Sequence, residues 1–499
     1  MEPLRELRMV LELDGKGELY GQLLRSLKRA ILDGRLPPGT RLPSTRDLAG
    51  ELGLARNTVL AAYELLCAEQ LAVSRVGAGT FVADTLPSPR RMRAATGVEA
   101  QTRYAARLRA LPPLSLGRRN EKLRLDLQYG EPLVDMALFT VWRRALSHAA
   151  QHTEARGVGS QGLPALRREI AAHLGPRRGI SCDPDDVIVL NGTQQAMTLL
   201  ARVLLNEQDT VVLEDPHYQL AKQCFQAHGA QVLHVPVDAE GLDAARLPPE
   251  RVKLVVVTPS HQFPSGHVLT VPRRLALLRA ASERRFWVLE DDYDGEFSFD
   301  SLKLPALRSL DREDRVIYVG TFSKTLLPSI RLGFVVCPQG LREEMVRAKM
   351  LADLACSAIE QTAVAHLMAT GAYDRHLRRS SVELKRRRRA LLQGLKVHCG
   401  DALQVQDSGG GMHLVAWLPG FSQAQFSRLV DLATERGLGL HTIAPHFARA
   451  PRVPGLLMGF AALSVTQINA ATRLLGRCLA EVAPLAGARP ARATGGLAV

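Results

Sequence analysis

The chain is 499 residues long, which is too long for one hydrophobic core and predicts two or more domains. Its 46% hydrophobic and 23% charged residues are typical of a soluble globular protein. No run approaches the roughly 18 apolar residues of a membrane helix, so we expect no membrane partner. The N-terminus is too charged for a signal peptide, and the 7 cysteines are scattered without C-x-x-C pairs. We therefore expect a cytoplasmic protein with reduced thiols and no metal site.

The formal net charge of +14 predicts a polyanionic partner, and its distribution sharpens that prediction. Residues 1–85 contain 11 basic and 11 acidic residues, whereas residues 86–124 contain 10 basic residues against Glu99 and Glu121. More than half of the excess charge therefore lies in one short basic segment. This segment either contacts phosphates without regard to sequence or is a solvated tether.

Residues 1–85 predict a small domain of three helices and a hairpin. The stretch "LYGQLLRSLKRAILDGRL" has apolar residues at helical spacing, and "PPGT" ends it. In "PSTRDLAGELG", Ser44 and Thr45 start a second helix and Gly53 closes it. The stretch "LARNTVLAAYELLCAEQ" is a third helix, and "LAVSRVGAGTFVAD" is typical of two short strands around a glycine turn.

Beyond residue 85 the pattern changes. Residues 86–124 have the composition of a linker, with one helical stretch, "TRYAARLRAL". Residues 125–485 alternate strands with helices, which predicts an α/β domain with a largely parallel sheet covered on both faces. Its later part, residues 345–485, is expected to be a small α+β subdomain, and residues 486–499 a disordered tail. The predicted strands contain "DVIVL", "TVVLE", "QVLHVPV", "KLVVVTP", "FWVLEDD", "RVIYVG" and "LGFVVC".

The small domain has the layout of a winged helix-turn-helix, in which the second helix of the pair enters the major groove. Arg56, Asn57 and Thr58 begin that helix and suit base edges and phosphates. Further candidates for DNA contact are Arg46, Arg75, Gly77 and Gly79. Solvated helix ends and an ordinary hairpin would give the same local pattern. From "LYGQ" to "GTFV", however, the stretch closely resembles the GntR-type winged helix, which implies a double-stranded DNA operator as partner.

A lysine amine can form a Schiff base with the aldehyde of pyridoxal phosphate, and Lys324, in "GTFSKTLLPSIR", is placed for it. Such a site needs a carboxylate for the ring nitrogen and a hydroxyl for the ring oxygen. Asp291 and Tyr293, in "FWVLEDDYDGEF", supply them and face the same side if the strand continues to Tyr293. Taken alone, a lysine after a strand is usually solvated, and an acidic cluster there is usually a helix cap.

The cofactor phosphate needs donors, and "VIVLNGTQQAMTLL" supplies a strand, a glycine turn and a helix N-terminus. The amides at that N-terminus belong to Gly192, Thr193 and Gln194. Thr321 and Arg331 flank Lys324 and are expected at the same phosphate. Tyr218, in "EDPHYQLA", follows another strand and is expected to stack on the ring.

In their order along the chain, "NGTQQA", "EDPHY", "TPSHQFPSG", "EDDYDGEF" and "GTFSKTLLPSIRLG" resemble the motifs of fold type I aminotransferases. Joined to a GntR-type winged helix, they resemble the MocR/GabR-type transcriptional regulators. The resemblance implies a head-to-tail homodimer whose aminotransferase-like domain binds pyridoxal phosphate and senses a small amino compound. It also implies that the effector amine displaces Lys324, and that the resulting external aldimine changes DNA binding.

The sequence departs from this family where a transaminase binds the substrate carboxylate. Leu457, in "GLLMGFAAL", stands where the family has an arginine, and Arg449 and Arg452 are the candidates to replace it. Leu220 stands where the GABA-sensing member has an arginine, and "RGVGSQG" lacks the family's tyrosine. These losses disfavour GABA as the effector and disfavour full transamination. We therefore expect a sensor with residual or absent enzyme activity.

Two alternatives stay open. A working aminotransferase with an accessory DNA-binding domain would turn over an amino donor with 2-oxoglutarate. A repressor whose large domain serves only for dimerisation would hold no cofactor. His413 and His446 are candidates for the ligand pocket, although the sequence favours a structural role for each.

Overall fold

The computed structural model describes residues 11, 13–84, 102–113, 123–153, 157–299, 304–407 and 409–482. The chain divides into two compact units, Met1–Gln101 and Thr102–Val499. The expected tail at 486–499 and most of the expected linker lie outside the described residues. Within the described part of the chain, no helix has the length and apolar character needed to cross a bilayer.

The first unit contains three helices and a hairpin, α1 (Leu19–Leu32), α2 (Thr45–Leu52), α3 (Arg56–Ala68), β1 (Ala72–Arg75) and β2 (Gly79–Val82). The Ser44 hydroxyl accepts a hydrogen bond from the Asp47 amide at 3.2 Å and caps α2, and Gly53 ends this helix with φ +64°. Leu23, Leu27 and Leu66 lie in the core of this unit. The sequence pattern therefore gives the predicted helix-turn-helix and hairpin.

The second unit contains twelve described helices of the α type, α4 (Arg103–Ala110), α5 (Met136–His152), α6 (Pro164–Arg178), α7 (Thr193–Leu204), α8 (Gln219–Ala227), α9 (Val271–Arg284), α10 (Leu307–Leu310), α11 (Arg342–Asp353), α12 (Ala358–Ala369), α13 (Ala372–Cys399), α14 (Gln423–Glu435) and α15 (Val465–Val482). Short 3₁₀ helices span Pro184–Asp186, Ala244–Arg246, Pro328–Ile330, Gln339–Leu341, Gly400–Ala402 and Ala444–His446.

Its strands are β3 (Leu125–Asp126), β4 (Val187–Leu190), β5 (Thr210–Asp215), β6 (Gln231–Asp238), β7 (Gly241–Leu242), β8 (Val252–Val257), β9 (Trp287–Asp291), β10 (Val316–Thr321), β11 (Gly333–Val336), β12 (Gln404–Gln406), β13 (His413–Trp417), β14 (Leu438–Gly439) and β15 (Gly455–Gly459). All seven strands predicted from the sequence are among them.

The main sheet has eight strands in the order β4-β11-β10-β9-β8-β5-β6-β7. Strands β5, β6, β8, β9 and β10 run parallel, whereas β11 is antiparallel to both β4 and β10, and β7 is antiparallel to β6. The central strands are apolar and buried on both faces, as a helix-covered sheet requires. Because β4 and the parallel strands end at one edge, the loops that follow them meet there, and such an edge is where α/β sheets bind ligands.

A smaller three-stranded antiparallel sheet, β12-β13-β15, lies in the later part of the chain with α13, α14 and α15. The long helix α13 packs chiefly against α15. The two-residue strand β14 pairs with β3, which ties the start of this unit to its later part. Strand β15 contains Leu457, the residue that stands where the family has an arginine.

Candidate functional site

The first turn of α3 presents the side chains predicted to read DNA. Arg56 and Asn57 are exposed and Thr58 is half-buried, so this end of the helix is open to a partner. Arg46, in the first turn of α2, is also exposed. Arg56 Nε lies 3.4 Å from Thr45 Oγ1, a weak contact that positions the guanidinium beside the start of α2. The structure thus gathers Arg46, Arg56 and Asn57 on one accessible part of the small unit.

The hairpin between β1 and β2 exposes Arg75, Gly77 and Gly79 at its tip. Arg75 lies 5.0 Å above the Phe81 ring and 3.4 Å from the Asp84 carboxylate, and both contacts hold it against the hairpin. Gly79 has φ +109°, and a Cβ there would lie 3.2 Å from Arg41 Nε. Arg41 therefore lies beside the wing tip. It was not predicted from the sequence, because it precedes α2 by several residues and reaches the wing only through an antiparallel bridge to Phe81.

Lys324 lies in the turn after β10, at the edge where the parallel strands end. Its Nζ donates a short hydrogen bond to the Gly130 carbonyl, and a Cβ on Gly130 would lie 3.3 Å from Nζ. The amine faces a cavity of about 1270 Å³ that Tyr129, Tyr218 and His446 also line. The lysine is therefore accessible to a small molecule while its stem is held by the fold.

Burial lowers the pKa of the Lys324 amine below the ordinary lysine value. The carboxylates of Glu131, Asp294 and Asp291 oppose this shift, and the Arg331 charge adds to it. A lowered pKa increases the fraction of neutral amine at neutral pH. Only the neutral amine attacks an aldehyde, so this environment suits Schiff-base chemistry.

Asp291 is the last residue of β9 and is buried, with Oδ1 lacking a hydrogen-bond partner among the described residues. Burial, followed by the nearby charges of Asp292 and Asp294, raises its pKa to about 7. A buried carboxylate with an unused oxygen is costly unless a cation or a donor meets it. Asp291 thus suits a positively charged ring nitrogen.

Strand β9 ends at Asp291, so the condition for Asp291 and Tyr293 to face the same side along one strand is not met. Tyr293 instead lies in the following turn, where its Oη is 2.8 Å from His261 Nδ1. The same Nδ1 is 2.9 Å from the Asp294 carboxylate. Burial and the Asp294 charge raise the pKa of Tyr293 well above its ordinary value, so this hydroxyl stays protonated and can donate.

The turn between β4 and α7 forms a concave surface of backbone. Gly192 precedes α7 with φ +77° and ψ 174°, a conformation essentially restricted to glycine. Thr193 and Gln194 are the first helical residues, and amides at these positions have no acceptor within the helix. A Cβ at Gly192 would lie 3.6 Å from Arg331 Nη2, so the space above the turn borders a guanidinium.

Two further groups face this turn. Arg331 Nη2 lies 3.5 Å from the Asn191 carbonyl oxygen, and Arg331 itself has φ +52°. Thr321, at the end of β10, accepts a hydrogen bond from the Ser323 amide at 3.1 Å. The Ser323 hydroxyl is buried and has no partner among the described residues. The Gly192 turn with Arg331 is therefore a candidate anion cradle, because its helix amides and guanidinium are donors suited to a phosphate.

Tyr218 precedes α8 and lies half-buried beside the same edge. Its ring centroid is 5.8 Å from that of Phe263 in an edge-to-face arrangement, and Phe263 makes the same kind of contact with Tyr293 at 5.8 Å. Burial, followed by the Asp291 charge, raises the pKa of Tyr218 to about 12. Tyr218, Phe263 and Tyr293 therefore form a row of aromatic rings in contact, and Tyr218 also lines the cavity that Lys324 faces.

These residues fit pyridoxal phosphate. The unpartnered Asp291 oxygen matches the ring nitrogen, the Tyr293 hydroxyl matches the ring oxygen, and the Gly192 turn with Arg331 matches the phosphate. Lys324 completes the set with an amine of lowered pKa. The carbonyl of Gly130 and the ring of Phe263 were not predicted. The only sequence signal for Phe263 is that it lies within the motif "TPSHQFPSG". Gly130 lies outside all of the aminotransferase motifs.

The structure also shows what stands at the missing carboxylate clamp. Leu457 is fully buried and packs in a small apolar cluster with Val415 and Ile443. Arg449 and Arg452 are exposed, and neither is among the residues that line the cavity around Lys324.

The two histidines differ in position, and Leu220 also borders the ligand cavity. Leu220 and His446 line it, and the His446 ring nitrogen lies 3.1 Å from the Tyr129 hydroxyl. Both histidines are buried, but His413 does not line this cavity, and its Nε2 lies 3.0 Å from the Pro264 carbonyl, as expected of a structural histidine. Burial lowers the pKa of His446 to about 4 and that of His413 to about 3. Both imidazoles are therefore neutral at neutral pH.

The fold and the two sites define a class, a winged-helix DNA-binding domain joined to a pyridoxal-phosphate domain of the aminotransferase type. The chain matches the gntR family of bacterial regulatory proteins over residues 19–82 and the aminotransferase class I and II family over residues 124–451. It is 34% identical over 465 residues to the probable rhizopine catabolism regulatory protein MocR of Rhizobium meliloti, with 91% of this chain and 92% of that protein covered.

Two further similarities agree with this class. The chain is 36% identical over 406 residues to the HTH-type transcriptional regulator TauR of Rhodobacter capsulatus, covering 79% of this chain and 83% of that protein. The crystal structure of LysN, the alpha-aminoadipate aminotransferase of Thermus thermophilus complexed with N-(5'-phosphopyridoxyl)-L-leucine, superposes with a TM-score of 0.65 at 29% identity. It covers 72% of this chain and 93% of LysN.

The chain belongs to the MocR-type transcriptional regulators, in which a GntR-type DNA-binding domain is joined to an aminotransferase-like domain. Pyridoxal phosphate is the cofactor of the second domain. The family, the fold class and the cofactor predicted from the sequence are thereby confirmed. The individual site residues, the effector and the mode of sensing remain predictions.

Proposed function

We propose that this regulator senses an amino compound through pyridoxal phosphate attached to Lys324, and that this event changes DNA binding by the winged helix. Asp291 holds the ring nitrogen, Tyr293 donates to the ring oxygen, and Tyr218 packs against the ring. The phosphate is held by Gly192, Thr193, Gln194, Thr321 and Arg331. The observation that carries the proposal is the unpartnered Asp291 oxygen at the same strand edge as a lysine of lowered pKa.

The cofactor, when bound, supplies an aldehyde that takes one amine at a time. Lys324 binds it through the neutral amine that its buried setting favours. The cavity beside Lys324 would admit an effector amine, which could take the place of the lysine on the bound cofactor. When Lys324 does not hold the cofactor, the Gly130 carbonyl would accept a hydrogen bond from its Nζ, as it does in this structure. Binding therefore changes contacts between the turn after β10 and the loop around Gly130.

A sensor fits the cavity better than a working transaminase. Transamination requires the substrate carboxylate to be fixed so that the reacting carbon is oriented, and Leu457, an apolar side chain buried with Val415 and Ile443, supplies no charge for it. Capture of an amine needs no such clamp. We therefore assign residual or absent turnover to this domain.

We include in the proposal a cytoplasmic homodimer. Support comes from apolar side chains that are exposed at the end of α11 and just after it: Met350, Leu351, Leu354 and Ile359. Leu351 is 83% exposed and Leu354 70% exposed. The neighbouring Asp353 accepts hydrogen bonds from Asn191 at 2.6 Å and Gln195 at 2.7 Å, so this surface adjoins the phosphate turn. A second copy of the chain would bury these side chains.

Absorbance spectroscopy and DNA binding together test the proposal. The purified protein should show the visible absorbance of a lysine-bound cofactor, and Lys324→Ala should abolish it while leaving the fold intact. Addition of the effector should alter both this absorbance and operator affinity in the wild type, and neither in the variant. Lys396→Ala, at an exposed lysine of α13, controls for loss of a lysine amine elsewhere in the unit. Effector-dependent DNA binding that persists in Lys324→Ala would contradict the proposal.

A further inference from the structure

The segment that leads from the DNA-binding unit into the second unit contains helix α4, and this helix is attached to α8 and its neighbouring loops. Arg103 and Arg107 each lie 2.9 Å from the Glu207 carboxylate. The Tyr104 ring meets the His228 ring edge-on at 5.2 Å. After the helix, the Pro112 carbonyl accepts a hydrogen bond from Gln223 Nε2 at 2.9 Å. One carboxylate therefore anchors the helix through two arginines.

The attachment is specific but shallow. No residue of α4 is buried, so apolar burial contributes little to holding it. Gly229 allows the close approach of Arg107, because a Cβ there would lie only 2.6 Å from the guanidinium. Exposed ion pairs are individually weak. The docked position of α4 is consequently one that a modest competing interaction can shift.

The same segment forms a wall of the cavity that Lys324 faces. Arg107, Ala110, Leu111, Pro112 and Pro113 line this cavity together with Lys324, Tyr129 and His446. A cavity of about 1270 Å³ exceeds the needs of a very small amine. An effector held at Lys324 therefore lies in the same cavity as residues of this wall.

The charges around the cavity indicate what kind of group the wall accepts. Lys222 and Arg107 line it along with Lys324, whereas His446 and His217 stay neutral because burial lowers their pKa values to about 4 and about 3. Lys222 takes part in no ion pair among the described residues. An anionic group in this cavity can therefore pair with Lys222. The same group would compete with the Glu207 carboxylate for the Arg107 guanidinium.

We propose that helix α4 is part of the effector site: Arg107, with Lys222, binds an anionic group at the far end of the effector amine and gives up Glu207. The effector is then a primary amine that carries a carboxylate, sulfonate or similar anion beyond the reach of the missing clamp at Leu457. Loss of the Arg107–Glu207 pair leaves only Arg103 on that carboxylate and loosens α4, which lies on the chain that leads to the DNA-binding unit. This inference rests on the proposed function, because it needs an amine bound at Lys324.

Hydrogen exchange of the α4 amides in the full-length, cofactor-loaded protein tests the inference with two probes of matched length, 6-aminohexanoate and hexylamine. We expect 6-aminohexanoate to speed exchange in α4 by up to about fivefold, the range for losing the one surface ion pair of Arg107 with Glu207, and hexylamine to leave it unchanged. Glu207→Gln should speed exchange without any probe. Glu343→Gln, which removes an exposed ion pair with Arg347 elsewhere in the unit, should not.

A second measurement separates the two levels of the proposal. Both probes should alter the visible absorbance of the cofactor, and Arg107→Gln should weaken 6-aminohexanoate while leaving hexylamine unchanged. Equal effects of the two probes on α4, or no effect of either while both alter the absorbance, would overturn the role of α4. An absorbance that neither amine alters would instead overturn amine sensing at Lys324, whatever α4 does.

Discussion

Replacing Asp291 with asparagine should have opposite effects on two quantities, the stability of the cofactor-free fold and the affinity for the cofactor. Burial raises the pKa of Asp291 from 3.8 to about 7 in the cofactor-free protein. At about 1.4 kcal/mol per pH unit, keeping this side chain ionised costs the folded protein about 4 kcal/mol. Asp291→Asn removes that cost and retains the shape of the side chain. It also removes the charge that meets the ring nitrogen, a hydrogen bond to a charged group worth about 1.5–3 kcal/mol.

The effect on stability depends on pH in a defined direction. Because the folded pKa is raised, the folded protein holds a proton that the unfolded chain releases between about pH 4 and pH 7. This contribution to stability is complete below about pH 4 and is lost as the pH rises through about 7. Asparagine does not ionise, so the free energy of unfolding of Asp291→Asn does not fall in this way. The cofactor-free variant should therefore become more stable than the cofactor-free wild type as the pH rises, by about 4 kcal/mol near pH 8.

Urea unfolding of the cofactor-free proteins at pH 5 and pH 8, together with titration by pyridoxal phosphate, measures both effects. The variant should be more stable at pH 8 and bind the cofactor roughly 10- to 150-fold more weakly. Asp292→Asn is the matched control. Asp292 accepts hydrogen bonds from Arg178 at 2.9 Å and Tyr318 at 2.7 Å, so its loss strands a buried guanidinium and should destabilise the protein by roughly 3–5 kcal/mol. A destabilised Asp291→Asn protein with unchanged cofactor affinity would refute the reasoning.

Three further changes probe the two sites. Arg56→Ala should weaken operator binding by about 1–3 kcal/mol in a gel-shift titration and leave the cofactor absorbance unchanged, because Arg56 lies at the exposed start of α3. Glu131→Gln should lower the pH midpoint of cofactor capture, since the Glu131 charge raises the pKa of Lys324 against burial. Gly192→Ala should weaken cofactor binding in a fluorescence titration, because alanine is strained at φ +77° by about 1–3 kcal/mol and its methyl group enters the cradle beside Arg331.

Each change has a control in this chain. Arg477→Ala removes an exposed arginine of α15 and should leave operator affinity as it is; an equal loss in both variants would mean that only total charge matters. Glu343→Gln should not move the midpoint of capture, and an upward move in Glu131→Gln would contradict the assigned charge effect. Gly175→Ala introduces a methyl group that meets nothing within 4 Å and should be neutral for binding.

Much of the fold was predictable from the sequence because local signals and long motifs agreed. Ser44 and Gly53 mark the ends of α2 where the structure places them, and the apolar runs coincide with β4, β5, β6, β8, β9, β10 and β11. The order of the strands in the sheet could not be predicted from hydrophobic periodicity, because apolar runs do not show which strands are neighbours. The direction of β11 is the clearest example. Its sequence, "LGFVVC", has the same apolar pattern as the parallel strands, but β11 runs antiparallel to both of its neighbours.

The site was predictable where each residue follows a strand and less so where distant segments meet. Lys324, Asp291 and the Gly192 turn all lie at strand ends, and the structure brings them to one edge. Gly130 approaches Lys324 from a segment 194 residues away, which no local pattern encodes. Helix α4 was recognised as helical, but its attachment to Glu207 depends on a carboxylate about 100 residues further along the chain.

The residues of the small unit's core come from positions 11–82, and the described core clusters of the second unit begin at Leu127. Two independent cores should melt as two calorimetric transitions when the units do not interact. A ligand bound only in the second unit then raises only its own melting temperature. If adding effector shifts the melting temperature of the DNA-binding unit, that shift therefore reports the coupling free energy between sensing and DNA recognition.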